Sequence, residues 1–526
     1  MTNSLVKKNL LILFLISFSV FLFSIDNVVL NWFVFVPVLF LIQSVSLKSC
    51  FLTGGLYGFF SYFFYVFWLK DFNFQYLFLC SFLYFVILGI LFLILKFVMQ
   101  KSEKFTELKL FFVLCIFEFL KTKGFLGFSY GILAYSQYEN LFLIQISDIF
   151  GIWAIDFLMI FNSVLIYKFF EDFIKNFTDL KKVFFKNLIY FSSFLGILAF
   201  FLIYGFFIQK NYQKNENNFQ KIKICAVQNN IDPWASDLKT YDLQIKDLIE
   251  ISKSAIIQNP DIKIIVWPET AVIPAIEKNF YAKNETERKK IVKNLLDFIE
   301  NQNCAFVIGN FNSRPDEKDF NSAYFFIPKK NVIPPTAQFY SKIHLVPFSE
   351  YFPEFLRFWP LNLFFSEDDL WEKGKNYSVF EFENFSFATP ICFEDNFGSD
   401  LTNFVKNGAK CFINLSNDSW ANSKKSQIQH LRMAVFRSVE NKIPTVRSTS
   451  SGETCFISSC GKIYSRFSSF EKGFTTDFVH FTDKKMSFYS KNPDLLPILF
   501  IFISVFYLIY KFVCAFFRFV LHYKKK

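Results

Sequence analysis

The sequence has little of what metal and nucleotide sites are made from. Only 4 histidines occur in 526 residues, and the 10 cysteines include no CxxC pair and no ligand-like spacing with those histidines. The common zinc arrangements, whose ligands recur at short fixed intervals, are thereby excluded. Neither a GxGxxG stretch nor a P-loop occurs, so no motif supports nucleotide binding and no cofactor is expected. Charge is sparse as well. Charged residues make up 19% of the chain, and the formal balance of +11 is not gathered into the kind of stripe that grips nucleic acid. The cysteines do not read as a secreted disulfide framework either. Cys50, Cys80, Cys115 and Cys514 fall in or beside apolar runs, where a thiol packs as a small hydrophobe. A Cys455–Cys460 disulfide stays open, and the six cysteines of the more polar region cannot be paired from sequence alone.

What the chain has in excess is apolar surface. Hydrophobic residues reach 53%, 81 of them Phe, and the mean hydropathy is +0.30, which places the chain in the membrane class. Apolar runs of spanning length lie at about 9–25, 28–46, 50–69, 75–99, 150–170, 187–208 and 495–517. A shorter run, Leu108 to Leu120, carries Glu118 and brings the expectation to about eight transmembrane helices. The first run follows Lys7 and Lys8, lacks a small-residue cleavage site, and is read as a retained signal-anchor. Lysines cluster at alternate ends of the runs. Lys7 and Lys8, Lys48, Lys96 to Lys109, Lys168 to Lys186 and Lys524 to Lys526 share one side, against Lys70, Lys121 and Lys123 on the other. The positive-inside rule then puts both termini in the cytoplasm and the long insert outside, which in a bacterium is the periplasm. Glu118 and Asp156 lie in apolar surroundings; they suit an interface or a polar pair, and no catalytic role is assigned to them.

The chain therefore divides into a transmembrane domain over 1–210, an extramembrane domain over 211–490, and a last helix with a basic tail over 491–526. Within the middle portion, Ile222 to Val227, Ile262 to Trp267, Ala305 to Ile308, Ala323 to Ile327 and Cys411 to Leu415 read as buried strands. Thr445 to Arg447, Thr454 to Ile457 and Lys462 to Tyr464 are further candidates. Leu243 to Ile257, Glu285 to Glu300 and Ile428 to Glu440 show helical periodicity between them. Alternation of this kind predicts a layered α/β domain.

Three polar side chains follow extended stretches in that domain. Glu269 lies in Trp267-Pro268-Glu269-Thr270, Lys342 in Tyr340-Ser341-Lys342-Ile343-His344, and Cys392 in Pro390-Ile391-Cys392-Phe393-Glu394-Asp395 after the apolar run Val379 to Ala388. Strand ends converge along one edge of a sheet, where α/β sites are found. A thiol, a carboxylate and an ammonium brought together there can build a covalent acyl-transfer site.

These segments, in this order, resemble the three signatures of the nitrilase superfamily. The middle one, Lys342 to Pro353, together with membrane helices on both sides of the domain, resembles the apolipoprotein N-acyltransferases. That resemblance implies an α-β-β-α sandwich for the extramembrane domain. It also implies Cys392 as nucleophile, Glu269 as general base and Lys342 as the positive group at the oxyanion. Glu350 matches a supporting carboxylate that orients Lys342 or a proton. Phe393 departs from the usual Tyr, leaving only its backbone N–H as a donor, and Glu394 matches a residue that holds the nucleophile loop. Trp420, in Asn417-Asp418-Ser419-Trp420, and Trp234 match aromatics that can line the acyl path. Ala421-Asn422 stands where Phe-Gly is usual, which bears on that loop's conformation. Arg437, Glu440 and Arg447-Ser448-Thr449 fit segments of the scaffold.

The implied reaction moves a fatty acyl chain from a membrane phospholipid to Cys392, and then to the α-amine of a diacylglyceryl-cysteine at a lipoprotein N-terminus. The implied partners are phospholipid, diacylated apolipoprotein and the bilayer. Phe348, Tyr351, Phe352, Phe355, Phe358, Trp359, Phe364 and Phe365 read as an amphipathic arm at the interface, with a buried aromatic cluster as the alternative. A membrane-tethered amidase using water as acceptor, and a transporter or lipid-binding protein with an inactive domain, remain open.

Overall fold

A computed structural model describes residues 2–100, 105–124, 127–234, 237–313, 319–352, 371–483 and 486–523. The chain forms two compact units. One comprises Met1–Gln137, Phe150–Ile203 and Asn492–Lys526, and the other Tyr138–Ile149 and Tyr204–Lys491.

The first unit is helical. Among the described residues, 5 helices are long and apolar enough to cross a membrane: Val6–Ile25, Phe74–Gln100, Trp153–Lys175, Val183–Asn218 and Leu495–Arg518. The expected count of about eight is not reached by length and composition. The run at 28–46 is broken because Asn27 Oδ1 accepts from Val29 N at 2.9 Å and turns the chain into a short 3-10 helix, Leu30–Phe33. The α-helix resumes only at Phe35–Ser44, with Pro37 in its first turn, where its missing N–H costs nothing. Leu47–Tyr65 and Thr106–Leu120 are further helices of 19 and 15 residues. The two carboxylates singled out among apolar residues are both partnered. Glu118 Oε2 pairs with Lys121 Nζ at 2.5 Å, and Asp156 Oδ1 accepts from Ala134 N at 3.3 Å.

The second unit is an α/β sandwich. Its strands are β1 (Gln220–Gln228), β2 (Ile264–Val266), β3 (Ala305–Asn312), β4 (Phe320–Phe326), β5 (Gln338–Ser341), β6 (Phe380–Phe382), β7 (Phe385–Phe387), β8 (Phe412–Ser416), β9 (Thr445–Thr449), β10 (Cys455–Ile457), β11 (Ile463–Tyr464) and β12 (Gly473–Phe481). One sheet runs in the order β12-β1-β2-β3-β4-β5, and a second in the order β11-β10-β9-β8. Strand alternation assigns the faces. Ile222, Ile224 and Ala226 of β1 join Ile413, Leu415 and Val446 in the core between the sheets. Cys225 and Val227 turn the other way, into a layer with Leu248, Leu295 and Ile299. Those last residues belong to helices Leu238–Gln258 and Glu287–Glu300, which start at the side-chain caps Asp237 and Thr286.

The apolar run before Cys392 is not one strand. It folds into the hairpin β6–β7, turning where Glu383 adopts a left-handed φ of 55°. The chain then lies beside β8, with parallel bridges from Ala388 to Phe412 and from Ile391 to Leu415. Cys392 follows that bridged stretch directly. All 10 cysteines are free, so Cys455 and Cys460 form no disulfide.

Candidate active site

Glu269, Lys342 and Cys392 each stand just past an extended stretch. Glu269 lies three residues beyond the end of β2, and Lys342 immediately follows β5. Cys392 opens the 3-10 helix Cys392–Asn396 with φ at 50°, a strained left-handed conformation for a residue with a side chain. A glycine underlies the position of Glu269. A Cβ added to Gly309 of β3 would stand 2.1 Å from Pro268 O and 2.7 Å from Glu269 Cα. Both are backbone atoms, so nothing nearby can rotate aside. Gly309→Ala is therefore expected to displace Glu269 and, on the acyl-transfer role that the resemblance implies for Glu269, to cut acyl-enzyme formation by about 100-fold, the order of loss that a 1 Å misplacement brings. Single-turnover acylation of the folded variant measures it.

The buried centre of the site is Lys342. Its Nζ lies 3.0 Å from Glu269 Oε1 and 2.8 Å from Glu350 Oε1, and its side chain is 1% exposed. Burial works against the ammonium, but Glu269 and Glu350 outweigh it and hold Lys342 well above the usual lysine range. Asn321 Nδ2 donates to both carboxylates, at 2.8 Å to Glu269 and 3.3 Å to Glu350. Asn417 N donates to Glu269 Oε2 at 2.8 Å, and Val346 N to Glu350 Oε2 at 2.7 Å. Glu269 thus accepts three bonds and keeps lone-pair capacity for one more proton donor. Glu350 ends raised, because burial and the neighbouring Glu269 outweigh the pull of Lys342.

Cys392 is held as a protonated thiol at rest. Burial pushes it well above the ordinary thiol range, Glu269 adds to that push, and Lys342 opposes it. A thiol so placed needs a base in contact to become a nucleophile.

Glu394 ties the nucleophile loop to the lysine loop. Its Oε2 accepts from Ile391 N at 2.7 Å, and its Oε1 from Tyr340 OH at 2.6 Å, Ile343 N at 2.8 Å and His344 N at 3.2 Å. One buried carboxylate therefore fixes the residue before Cys392 and the residues flanking Lys342. Phe393 is half-buried, with its ring edge-on to Phe397 at 5.3 Å. Trp234 is 62% exposed, and its ring meets that of Trp420 edge-on at 5.2 Å. Arg437 and Glu440 pair with each other in the interior, Nε to Oε2 at 2.8 Å, and Arg437 also reaches Asp395 O at 3.3 Å. Of the aromatic arm, Phe348 and Phe352 pack edge-on at 5.9 Å and Tyr351 lies under the Lys373 ammonium at 4.3 Å. Phe355, Phe358, Trp359, Phe364 and Phe365 lie outside the described residues.

Sequence reasoning missed Asn321, Tyr340 and His430. Asn321 sits in β4 among apolar neighbours, and only its polarity at a buried position marks it out. Tyr340 lies in β5 with its hydroxyl on Glu394. His430 lies on helix Lys424–Asn441, far from the three motifs in sequence, and donates toward the Cys392 carbonyl at 3.1 Å.

Two family matches cover the two parts of the chain. Residues 12–165 match the apolipoprotein N-acyltransferase N-terminal domain, and residues 223–480 match the carbon-nitrogen hydrolases. Apolipoprotein N-acyltransferase 1 of Treponema denticola is 38% identical over 482 residues, covering 88% of either chain. The protein of that name from Treponema pallidum is 34% identical over 75% of this chain and 74% of its own. Apolipoprotein N-acyltransferase of Borreliella burgdorferi is 31% identical over 75% of this chain and 73% of its own.

Proposed function

Because the chain belongs to the apolipoprotein N-acyltransferases, membrane-embedded acyltransferases of the nitrilase superfamily, we propose that Glu269, Lys342 and Cys392 carry the transfer through a thioester. The observation that carries this reading is the buried Lys342 ammonium, shared by Glu269 and Glu350 and felt electrostatically by the Cys392 thiol.

The donor is the ester of a membrane glycerophospholipid. Glu269 takes the proton from Cys392 as sulfur attacks the ester carbonyl, and the Lys342 ammonium faces the oxygen that gains charge. Collapse breaks the carbon–oxygen bond, and Glu269 returns the proton to the leaving lysophospholipid. The acyl group now rests on sulfur. The free α-amine of a diacylglyceryl-cysteine attacks that thioester, Glu269 accepts one amine proton, and the thiolate leaves and is reprotonated. The products are a triacylated lipoprotein and the original thiol. Glu350 holds the far side of Lys342, and Phe393 contributes its backbone N–H to the oxyanion.

The location fits the chemistry. Drawing either substrate's chains out of lipid costs about 0.8 kcal/mol per CH₂, so a site at the leaflet surface leaves those chains in place. Trp234 and Trp420 are assigned to the lipid path. The lysine distribution supports cytoplasmic termini with the 211–490 domain on the outer, periplasmic side. About eight spans result if Leu30–Ser44, Leu47–Tyr65 and Thr106–Leu120 join the five long helices.

Labelled phospholipid followed by a diacylated lipopeptide, read by mass spectrometry, tests both half-reactions. Wild-type protein is expected to yield first a thioester on Cys392 and then the acylated lipopeptide. Hydrolysis of an amide with no acylated lipopeptide would favour an amidase instead.

A further inference from the structure

Beside Cys392 lies a buried polar cluster that the acyl-transfer steps do not use. His430 Nε2 faces the Cys392 carbonyl oxygen at 3.1 Å, and its Nδ1 faces Asp418 Oδ1 at 2.9 Å. Asp418 Oδ1 also accepts from Ser416 Oγ at 2.7 Å. Arg447, fully buried, reaches Asp395 Oδ2 at 2.7 Å and Asp418 Oδ2 at 3.4 Å.

We propose that His430 is a positioning residue for Cys392, clamping its backbone carbonyl while Asp418 anchors the other side of the ring. The inference rests on Cys392 being the nucleophile. Three observations carry it. First, Cys392 sits at a left-handed φ of 50°, and such a conformation persists only where its surroundings over-determine it. The carbonyl clamp from His430 supplies that restraint from one side, and Glu394 on Ile391 N supplies it from the other. Second, both ring nitrogens face oxygen atoms, so the ring is anchored at two points. Third, the cluster is built to stay an acceptor. Burial would raise Asp418, but His430, Arg447 and Ser416 hold it down to about 2.

That last point separates the cluster from the proton-transfer path. A carboxylate so acidic is a poor base for a thiol, so Asp418 anchors the His430 ring without taking the Cys392 proton. Deprotonation stays with Glu269. A close approach supports the anchor: a Cβ on Gly452 would stand 2.3 Å from Asp418 Oδ2.

Two variants of the full-length protein in detergent test this. His430→Leu keeps the ring's volume and removes both ring nitrogens; His430→Gln keeps an N–H near the Nε2 position. His430→Leu is expected to slow acyl-enzyme formation about 100-fold, with phospholipid KM unchanged, and His430→Gln to recover at least about tenfold of that loss. A purely structural role would lower the amount of folded protein and leave the rate per folded molecule intact. Should His430→Leu not fold, His430→Asn carries the test: its amide keeps a donor near the Nδ1 position toward Asp418 and none toward the Cys392 carbonyl, and acylation is expected to slow about tenfold. Wild-type rates in folded His430→Leu, no advantage of His430→Gln over it, or wild-type acylation in His430→Asn overturn the proposal. Cys392→Ala runs alongside. If it still forms the acyl-enzyme, the nucleophile assignment falls and this inference with it; if it is inert while His430→Leu is fully active, only the positioning role falls.

Discussion

Cys392→Ala is expected to abolish acyl-enzyme formation and lipopeptide acylation together, with a loss of at least about 10⁴-fold, as when a covalent nucleophile is removed elsewhere. The reason is that no second group can take its place. Glu269 is occupied by Lys342, Asn321 and Asn417, and the Ser416 hydroxyl is committed to Asp418. Cys392→Ser probes the same point from the chemical side. An alkoxide is far harder to form than a thiolate, and a buried carboxylate matched to a thiol is a weak base for a hydroxyl. The serine variant is therefore expected to bind phospholipid normally and to acylate at a small fraction of the wild-type rate. Intact-protein mass spectrometry after incubation with phospholipid reads the outcome. An acyl adduct on the alanine variant, or full transfer by it, would falsify the thioester route.

The three central residues of the candidate site were legible only together. A lone Cys, Glu or Lys after an extended stretch is usually structural or solvated; their order, resembling the nitrilase signatures, singled them out. Glu269, Lys342 and Cys392 are visible as Trp-Pro-Glu, Ser-Lys-Ile and Ile-Cys-Phe. What joins them was not legible. Asn321, which bonds both carboxylates beside Lys342, reaches the site only through the pairing of β4 with β3 and β5, a long-range register that local pattern does not encode. Glu394 was matched to a residue that holds the nucleophile loop, but its partners Tyr340, Ile343 and His344, about fifty positions away, were not legible. The hairpin at Glu383 was missed because Phe on both sides of the turn reads as one continuous apolar strand. The run at 28–46 forms a shorter helix than its composition suggests, because Asn27 just before it turns the backbone into a 3-10 helix, Leu30–Phe33. Strand β12, paired along its length with β1, carries Thr475, Thr476 and Asp477 in mid-strand and so lacks the buried-strand pattern. Hydrophobic pattern finds elements; it does not find the hydrogen bonds that bind one element to another.

Lys342→Met is expected to be the most informative single change after Cys392, because it alters rate and stability by separable routes. Removing the ammonium leaves Glu269 and Glu350 facing each other in the interior with only Asn321 between them. Breaking a buried pair in this way costs about 3–5 kcal/mol of stability. Acyl-enzyme formation should fall about 10²–10³-fold, the loss on removing one group that stabilises a developing oxyanion. The pH dependence tells the two routes apart. Burial and Glu269 already raise Glu350, and without Lys342 nothing as strong pulls it down. A carboxyl raised in the folded state binds its proton more tightly there than in the unfolded chain. The variant's stability should therefore fall as pH rises above the unfolded carboxyl range, about 4.3, toward the raised value, and should be regained on acidification. Adding Glu350→Gln removes that charge, and the double variant should recover much of the lost stability and lose its pH dependence. It should not recover the rate, because the oxyanion still lacks its cation. Thermal unfolding across pH, set beside single-turnover acylation, reads both. If stability and rate return together in the double variant, Lys342 serves only to neutralise its carboxylates, and its role at the oxyanion is wrong.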